Sequence, residues 1–309
     1  MDIKKNVLLA EYSNFHIGGV AKKLITASSA DDLVSALNNL KKNNETYKIF
    51  AGGTNVVFPD EGIADTLVRM WGGDIKVDKN NLFLIADAGV KLAALVDKAI
   101  ELGWIGLENL SGIPGTVGGA VYGNAGAYGT ELKDVVDSVE IYDQGARKWL
   151  NNDDCQFAYR TSIFKSQEPG SRQVILRVKL KLASKGSSKE MESKSQDIIK
   201  TREEKYPKEL MCPGSFFKNL LADKLTRKQL KNISSDKIKH GKVPAGYLLE
   251  DVGAKGKSVG DIKVAPYHAN LICNEGHGTA SQVKKLAEEL RQLVLDKFGI
   301  RLEEEVRYF

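Results

Sequence analysis

Seven glycines fall within the twenty residues LSGIPGTVGGAVYGNAGAYG, Leu110 to Gly129. Ordering such a stretch is costly, because glycine loses more chain freedom on folding than any other residue. Ile113, Pro114, Val117, Val121 and Tyr128 are interspersed through it, which argues against a low-complexity linker. Close approach of the backbone to something else explains the density. A stretch without charged side chains suits a flat, uncharged ring system and a diphosphate held mainly by backbone groups. A smaller cluster lies in IFAGGTNVVF, Ile49 to Phe58, where a short strand runs into Gly52, Gly53 and Thr54. Adjacent glycines there serve either a plain tight turn or a nest of successive amides for phosphate oxygens, with Thr54 and Asn55 adding side-chain donors. No GKS or GKT follows either stretch, and neither carries the spaced GxGxxG of a dinucleotide-binding turn.

With 309 residues the chain has the length of roughly two domains of about 150 residues. Its 42% hydrophobic and 28% charged content is ordinary globular usage and excludes collagen-like, disordered and disulfide-scaffold classes. No apolar run approaches the ~18 residues needed to span a bilayer. The start, MDIKKNVLLAEYSNFHIGG, lacks a small-residue cleavage pattern, so a cytoplasmic location is expected. Cys155, Cys212 and Cys273 are odd in number and far apart, which suits a reducing compartment and thiols used for packing. His16, His240, His268 and His277 are scattered, and no metal site is expected.

Helical spacing of Val283, Leu286, Ala287, Leu290, Leu293, Val294 and Phe298 predicts a long amphipathic helix after Thr279 that stops at Gly299. Further helices are predicted from about Ala30 to Lys42 and from Leu92 to Leu102, the latter closed by Gly103. Val174, Leu176, Val178, Leu180 and Leu182 alternate as in a half-buried strand. Other strand candidates are Tyr47 to Phe50, Leu67 to Met70, Leu82 to Asp87, Val135 to Asp143 and Glu304 to Tyr308. The mixture favours an α+β fold. The polar segment Ser184 to Gln196 suggests an exposed connection or a solvated helix start, and a domain boundary.

Charge is uneven. From Lys179 to Lys242 there are 17 Lys and Arg against 8 Asp and Glu, or +9, which leaves −4 for the remainder of a chain whose net charge is +5. Such a block is either a solvated face or a region that attracts an anionic substrate. Nucleic acid is a poor candidate, because the block lacks interleaved aromatics.

The ordered set AGGTNVVFPDEG, SGIPGTVGGAVYGNAGAYG, FAYRTSIFK, CPGSFFKN, AGYLLEDVGAKG and EEEVRYF resembles the UDP-N-acetylenolpyruvoylglucosamine reductases, flavoenzymes of bacterial peptidoglycan precursor synthesis. The resemblance covers nearly the whole chain. It implies an FAD-binding region of the vanillyl-alcohol-oxidase (PCMH) type in two subdomains, residues 1–66 and 67–200, and a C-terminal α+β substrate-binding domain, residues 201–297. Residues 298–309 would form a C-terminal strand carrying a catalytic glutamate. FAD would be bound noncovalently, with Gly52, Gly53, Thr54, Asn55 and Val56 at its diphosphate. Ile113, Pro114, Gly115, Thr116, Gly118, Gly119, Asn124, Gly126, Ala127 and Tyr128 would line the flavin and its diphosphate. NADPH would be the co-substrate, and a UDP-sugar the substrate of a monomeric protein with no nucleic-acid or membrane partner.

Taken singly, Ser215 after Pro-Gly suits a turn, Arg160 a surface ion pair and Glu305 a solvated carboxylate. The resemblance implies that Ser215 is the proton donor and that Arg160 and Glu305 surround the substrate carboxylate. Arginine suits that task because its planar fork holds a carboxylate bidentately at any working pH. Lys218 and Asn219 would contact substrate, with Tyr159 a further candidate. Glu304 and Leu220 stand where the family usually has proline, so the choice among Glu303, Glu304 and Glu305 for the inward carboxylate stays open. No long insertion bears the extra tyrosine that one subgroup folds over the substrate, which places the chain with the subgroup lacking that lid. The segment Leu225 to Pro244 suggests a small helical elaboration. A sugar or lactone oxidase on the same FAD scaffold would normally show a histidine for covalent flavin attachment near AGGTNVVF, and there is none. A nucleotide-sugar binding module without turnover is the non-enzymatic alternative.

Overall fold

The computed structural model describes residues 1–165, 173–207 and 209–309. They divide into two compact units, the first formed by Met1–Val7, Ala21–Gly52 and Ala64–Glu204, the second by Leu8–Val20, Gly53–Ile63 and Lys205–Phe309.

In the first unit, helix α1 (Ala30–Lys42) starts where the Ser29 hydroxyl accepts the Asp32 amide. Asp31 and Asp32 sit in its first turn and Lys41 and Lys42 in its last, each favourable to the helix dipole. It buries Leu33, Ala36, Leu37 and Leu40 in a core with Ile25, Val68 and Met70 of a four-stranded sheet. That sheet runs Asp2–Leu8, Val20–Ala27, Ile63–Met70, Tyr47–Phe50, with the last two strands parallel and Phe50 opposite Arg69. A five-stranded antiparallel sheet has the order Ala146–Asn151, Val136–Asp143, Val174–Lys181, Phe83–Asp87, Ile75–Asp78. Val174, Leu176, Val178 and Leu180 are buried on alternate positions of its central strand, as period two requires. Helices α2 (Leu92–Glu101) and α3 (Val117–Tyr122) pack into its core through Leu95, Val96, Ala99, Val117 and Val121.

The polar run after Ser184 is a helix, α4 (Ser188–Lys205), rather than an exposed connection. Its Lys, Glu and Gln content has good helical propensity, and Met191, Ser195 and Ile198 make a narrow buried stripe at i, i+4, i+7. The stripe is too thin to show against so many charges. Through it the glycine-rich stretch is anchored: Ser195 donates to Ser111 at 2.8 Å and Arg202 to the Gly112 carbonyl at 3.0 Å.

In the second unit, the Leu225 to Pro244 segment holds α5 (Arg227–Lys231), a short turn of 3-10 helix at Ser235–Lys237, and the strand Lys242–Val243 that pairs with Leu220–Leu221. Helix α6 (Ala245–Asp251) and the long α7 (Ala280–Phe298) follow. Thr279 and Gln282 form a capping box at the start of α7, and Gly299 closes it at φ 64°. Its buried face, from Val283 to Phe298, shares a core with Phe15, Ile17, Val57, Phe216 and Phe217. The Asp60 carboxylate also accepts the Ala280 and Ser281 amides. These contacts explain why two short N-terminal segments belong with the C-terminal residues. Three short strands, Ser258–Val259, Ile262–Val264 and Ile272–Asn274, form an antiparallel sheet. Arg307–Tyr308 pairs in parallel with Val56–Val57, so the expected strand from Glu304 is shorter, and Glu304 instead bridges Phe217. Among the described residues no helix is long and apolar enough to cross a membrane.

Candidate functional site

The first glycine loop is held by backbone contacts. Gly53 has φ 68°, and a Cβ there would lie 1.8 Å from the Tyr12 carbonyl oxygen. Only glycine fits. The Gly53 carbonyl accepts the Asn14 amide at 3.1 Å, and the Asn55 carbonyl accepts the Arg307 amide at 3.1 Å. With the Gly53 and Asn55 carbonyls turned into protein, the loop can offer amides on its other side, which fits a diphosphate. Gly52 and Thr54 flank Gly53 and are partly exposed. The Asn55 side chain donates to the Glu305 carbonyl at 3.1 Å, and Val56 stands opposite Arg307 in the parallel pair. A predicted diphosphate loop and a predicted catalytic strand are thereby tied together.

The second stretch differs. The Val117 and Gly118 amides donate to the Val90 and Ala88 carbonyls at 2.9 and 2.8 Å, and the Gly119 amide to the capping Thr116 hydroxyl at 3.2 Å. Those amides are engaged, so at these positions glycine serves shape rather than hydrogen bonding to a ligand. Gly118 lets α3 approach Ala88, whose Cβ would be 2.7 Å from an added Cβ. Ile113 packs on the core, Pro114 is exposed, and the Gly115 carbonyl accepts the Leu92 amide. Asn124 is fully buried; its amide group donates to Glu131 and to the Ala158 carbonyl, both at 3.0 Å, and its oxygen accepts the Lys133 amide. That side chain is scaffold. Gly126 and Ala127 pair with Glu131 and Thr130 in a hairpin whose tip exposes Tyr128.

Arg160 belongs to this same region. Ala158 and Thr161 exchange both backbone hydrogen bonds around Tyr159 and Arg160, a two-residue turn in which Arg160 has φ 54°. Its guanidinium donates to the Gly126 carbonyl at 3.0 Å and lies 5.4 Å from the Tyr159 ring centre, while Lys165 donates to its carbonyl. The structure thus gathers Asn124, Gly126, Tyr159 and Arg160.

Ser215 lies in a miniature ladder of the second unit. Phe216 donates to the Asn270 carbonyl at 3.0 Å, and its own carbonyl accepts the Glu305 amide at 2.8 Å. Ser215 bridges Leu271 on one side and Phe217 bridges Glu304 on the other. The Asn270 side chain, 3% exposed, closes both backbone groups of Phe217 at 2.9 Å. Asn270 is a support of this candidate site that sequence reasoning missed; the polar residue interrupting the apolar ANLIC run was its signal. The Asn270 amide in turn donates to Nδ1 of His268, whose pKa is lowered to about 4 by burial and then by the nearby Lys205 charge. Tyr206, also missed, sits 3.1 Å from Ser215 through its hydroxyl.

The three glutamates separate cleanly. Glu303 is exposed and pairs with Lys218 at 2.9 Å; Glu304 pairs with Arg291 at 2.6 Å; Glu305 is the one whose backbone joins Phe216 and Asn55. Asn219 is exposed, and its oxygen accepts the Ala245 amide at the start of α6. Cys212 and Cys273 share a small apolar cluster with Ala265 and Leu271. The Cys273 thiol donates to Cys212, which holds Cys212 below the usual thiol range and pushes Cys273 above it. Burial pushes Cys155 up to about 12, as befits a packing thiol. Among the described residues no cluster of three His, Cys, Asp or Glu could hold a metal ion.

Comparison with known proteins matches residues 206–309 to the family described as UDP-N-acetylenolpyruvoylglucosamine reductase, C-terminal domain, and residues 21–147 to the FAD binding domain family. The chain is 39% identical over 300 residues to the UDP-N-acetylenolpyruvoylglucosamine reductase of Solibacter usitatus, covering 97% of this chain and 94% of that protein. It is 36% identical over 310 residues to that of Petrotoga mobilis, covering 98% and 94%. The crystal structure of the Thermus caldophilus UDP-N-acetylenolpyruvylglucosamine reductase superposes with a TM-score of 0.77 at 28% identity, over 100% of this chain and 99% of that one. The chain therefore belongs to the UDP-N-acetylenolpyruvoylglucosamine reductase family.

Proposed function

We propose that this chain reduces UDP-N-acetylglucosamine enolpyruvate to UDP-N-acetylmuramate, with NADPH as reductant and noncovalent FAD, in the cytoplasm and as a monomer without nucleic-acid or membrane partners. The residues of the first glycine loop, Gly52 to Val56, hold the FAD diphosphate, and Ile113 to Tyr128 give the flavin its shape complement, with Asn124 acting by fixing the stretch. Residues 1–66 and 67–200 supply that cofactor region, and 201–297 the substrate domain. When bound, FAD supplies the hydride chemistry that carries two electrons from NADPH to the substrate.

The protein's own part is position, charge and one proton. Arg160 and Glu305 surround the substrate carboxylate and stabilise charge that develops next to it as the double bond is reduced. Ser215 delivers the proton to the carbon adjacent to the one that receives hydride. Lys218 offers its charge to the substrate by exchanging the exposed Glu303 carboxylate, a pairing weak enough to give up. Tyr159 and Asn219 contact the substrate, and the basic block attracts a molecule bearing a diphosphate and a carboxylate.

The observation that supports this reading most strongly is the lacing of Ser215–Phe217 between Asn270–Leu271 and Glu304–Glu305. It holds a weak acid rigidly beside a carboxylate strand, as positioned proton transfer needs. The test is to follow NADPH consumption with and without the enolpyruvyl substrate, in the native chain and in Ser215→Ala. Reduction of bound flavin by NADPH should persist in the variant, while reduction of substrate falls about 100- to 10,000-fold. Equal slowing of both halves would remove Ser215 from the proton-donor role. Substrate-independent oxidation with peroxide release would replace the reductase by an oxidase.

A further inference from the structure

The proton on Ser215 has to leave toward carbon, and a serine hydroxyl has one proton and two acceptor lone pairs. Its oxygen is 3.1 Å from the Tyr206 hydroxyl. If the serine donated in that hydrogen bond, its proton would point at the phenol and away from any substrate. The productive direction is the reverse. Phenols as a class are also better hydrogen-bond donors than aliphatic alcohols, so the phenol is the natural donor of the pair.

The tyrosine is built to hold that direction. Its ring packs against the cluster of Cys212, Ala265, Leu271 and Cys273, and Leu271 is the residue that bridges Ser215. The Lys205 ammonium lies 5.1 Å from the ring centre, which anchors the face of the ring. Ring and serine are thus fixed by the same short stretch of backbone.

We propose that Tyr206 is a positioning residue for the proton donor: its O–H donates to Ser215 Oγ, turns the serine proton toward the substrate and stabilises the oxygen as that proton departs. The inference rests on the reading of Ser215 as proton donor and adds to it the group that aims the hydroxyl. No proton leaves Tyr206; it shares its hydrogen bond more strongly as negative charge builds on Oγ.

Tyr206→Phe keeps the ring in its cluster and removes only the hydroxyl. Substrate reduction should fall about tenfold, the scale of one hydrogen bond to a charged oxygen, with KM within about twofold and the thermal midpoint unchanged. In single-turnover measurements on a Ser215→Ala background the same substitution should cost nothing further, because the two act through one oxygen. A readout independent of turnover comes from the flavin-free protein carrying ζ-13C tyrosine: the resonance that vanishes in Tyr206→Phe should shift in Ser215→Ala. An unchanged rate in Tyr206→Phe, with Ser215→Ala still deficient, would overturn the role of Tyr206 and leave that of Ser215 standing. Full substrate reduction by Ser215→Ala would overturn both. Equal losses in the two backgrounds would put Tyr206 on the substrate directly and end its role as a positioning group.

Discussion

The two glycine-rich stretches look alike on paper and are built differently. In the loop at Gly52 to Val56, glycine is forced by another backbone: Tyr12 passes so close to Gly53 that no side chain can exist there, and the carbonyls of Gly53 and Asn55 face inward to the Asn14 and Arg307 amides. In the stretch from Leu110 to Gly129, the amides at the start of α3 are already bonded within the protein, and glycine admits a helix against Ala88. Glycine density alone therefore does not report an anion site. What separates a nest from a packing motif is where the carbonyls and amides go, a question of complete hydrogen-bond accounting.

The sharpest way to break this contrast is Gly53→Ala. A methyl group 1.8 Å from a carbonyl oxygen cannot be relieved by a side-chain rotation, and φ 68° adds strain of its own. The loss should exceed about 4 kcal/mol, a large part of the stability of any domain. Soluble yield and flavin content should both collapse, read from expression and from the absorbance of bound flavin. A well-folded yellow Gly53→Ala protein would show that the Tyr12 contact is not what fixes the loop.

Gly118→Ala tests the other stretch, and the effect should be smaller. The added methyl would meet the Ala88 Cβ at 2.7 Å and its carbonyl at 3.0 Å, so α3 must move away from Ala88 to admit it. Overpacking of this kind costs about 1 to 3 kcal/mol. Urea denaturation of the flavin-free protein should show it directly. If stability were untouched and only flavin affinity fell, Gly118 would belong to the cofactor surface after all.

Much of this was legible in the sequence, for reasons that can be named. Helices α1 and α7 carry both a cap and a wide apolar stripe, so their limits are marked twice. The strand Val174–Lys181 alternates almost perfectly. Helix α4 was obscured because three buried residues stand among eighteen that are mostly charged. Asp2–Leu8 was not read as a strand because six of its seven residues are exposed, leaving no inward set to show a period. For the site, the family resemblance pointed to Ser215, Arg160 and Glu305. It could not separate Glu305 from its two neighbours, whose partners Lys218 and Arg291 are distant in sequence. Asn270 left only the faint mark of a polar residue in an apolar run, since its partner Phe217 is 53 residues away, and nothing in the sequence marked the contact of Tyr206 with Ser215.

Gly119→Ala is the mildest substitution and divides the two roles of glycine most finely. An added Cβ there would find only the Thr116 hydroxyl, at the comfortable distance of 3.5 Å, and the residue is exposed in the first turns of α3. Its φ is not in the left-handed region, so alanine fits the backbone as it stands. Replacing glycine by alanine inside a helix normally gains about 0.5 to 1 kcal/mol, since the unfolded chain has less freedom to lose. The flavin-free protein should therefore melt slightly higher. If the cofactor lies against this exposed position as proposed, the methyl group stands in its way, and flavin should bind more weakly in the same variant. Opposite signs for apo stability and flavin affinity, measured by thermal melting and by flavin titration, would separate a glycine kept for its ligand from one kept for its fold. A rise in both would move the cofactor away from α3 and leave the first glycine loop as its principal hold.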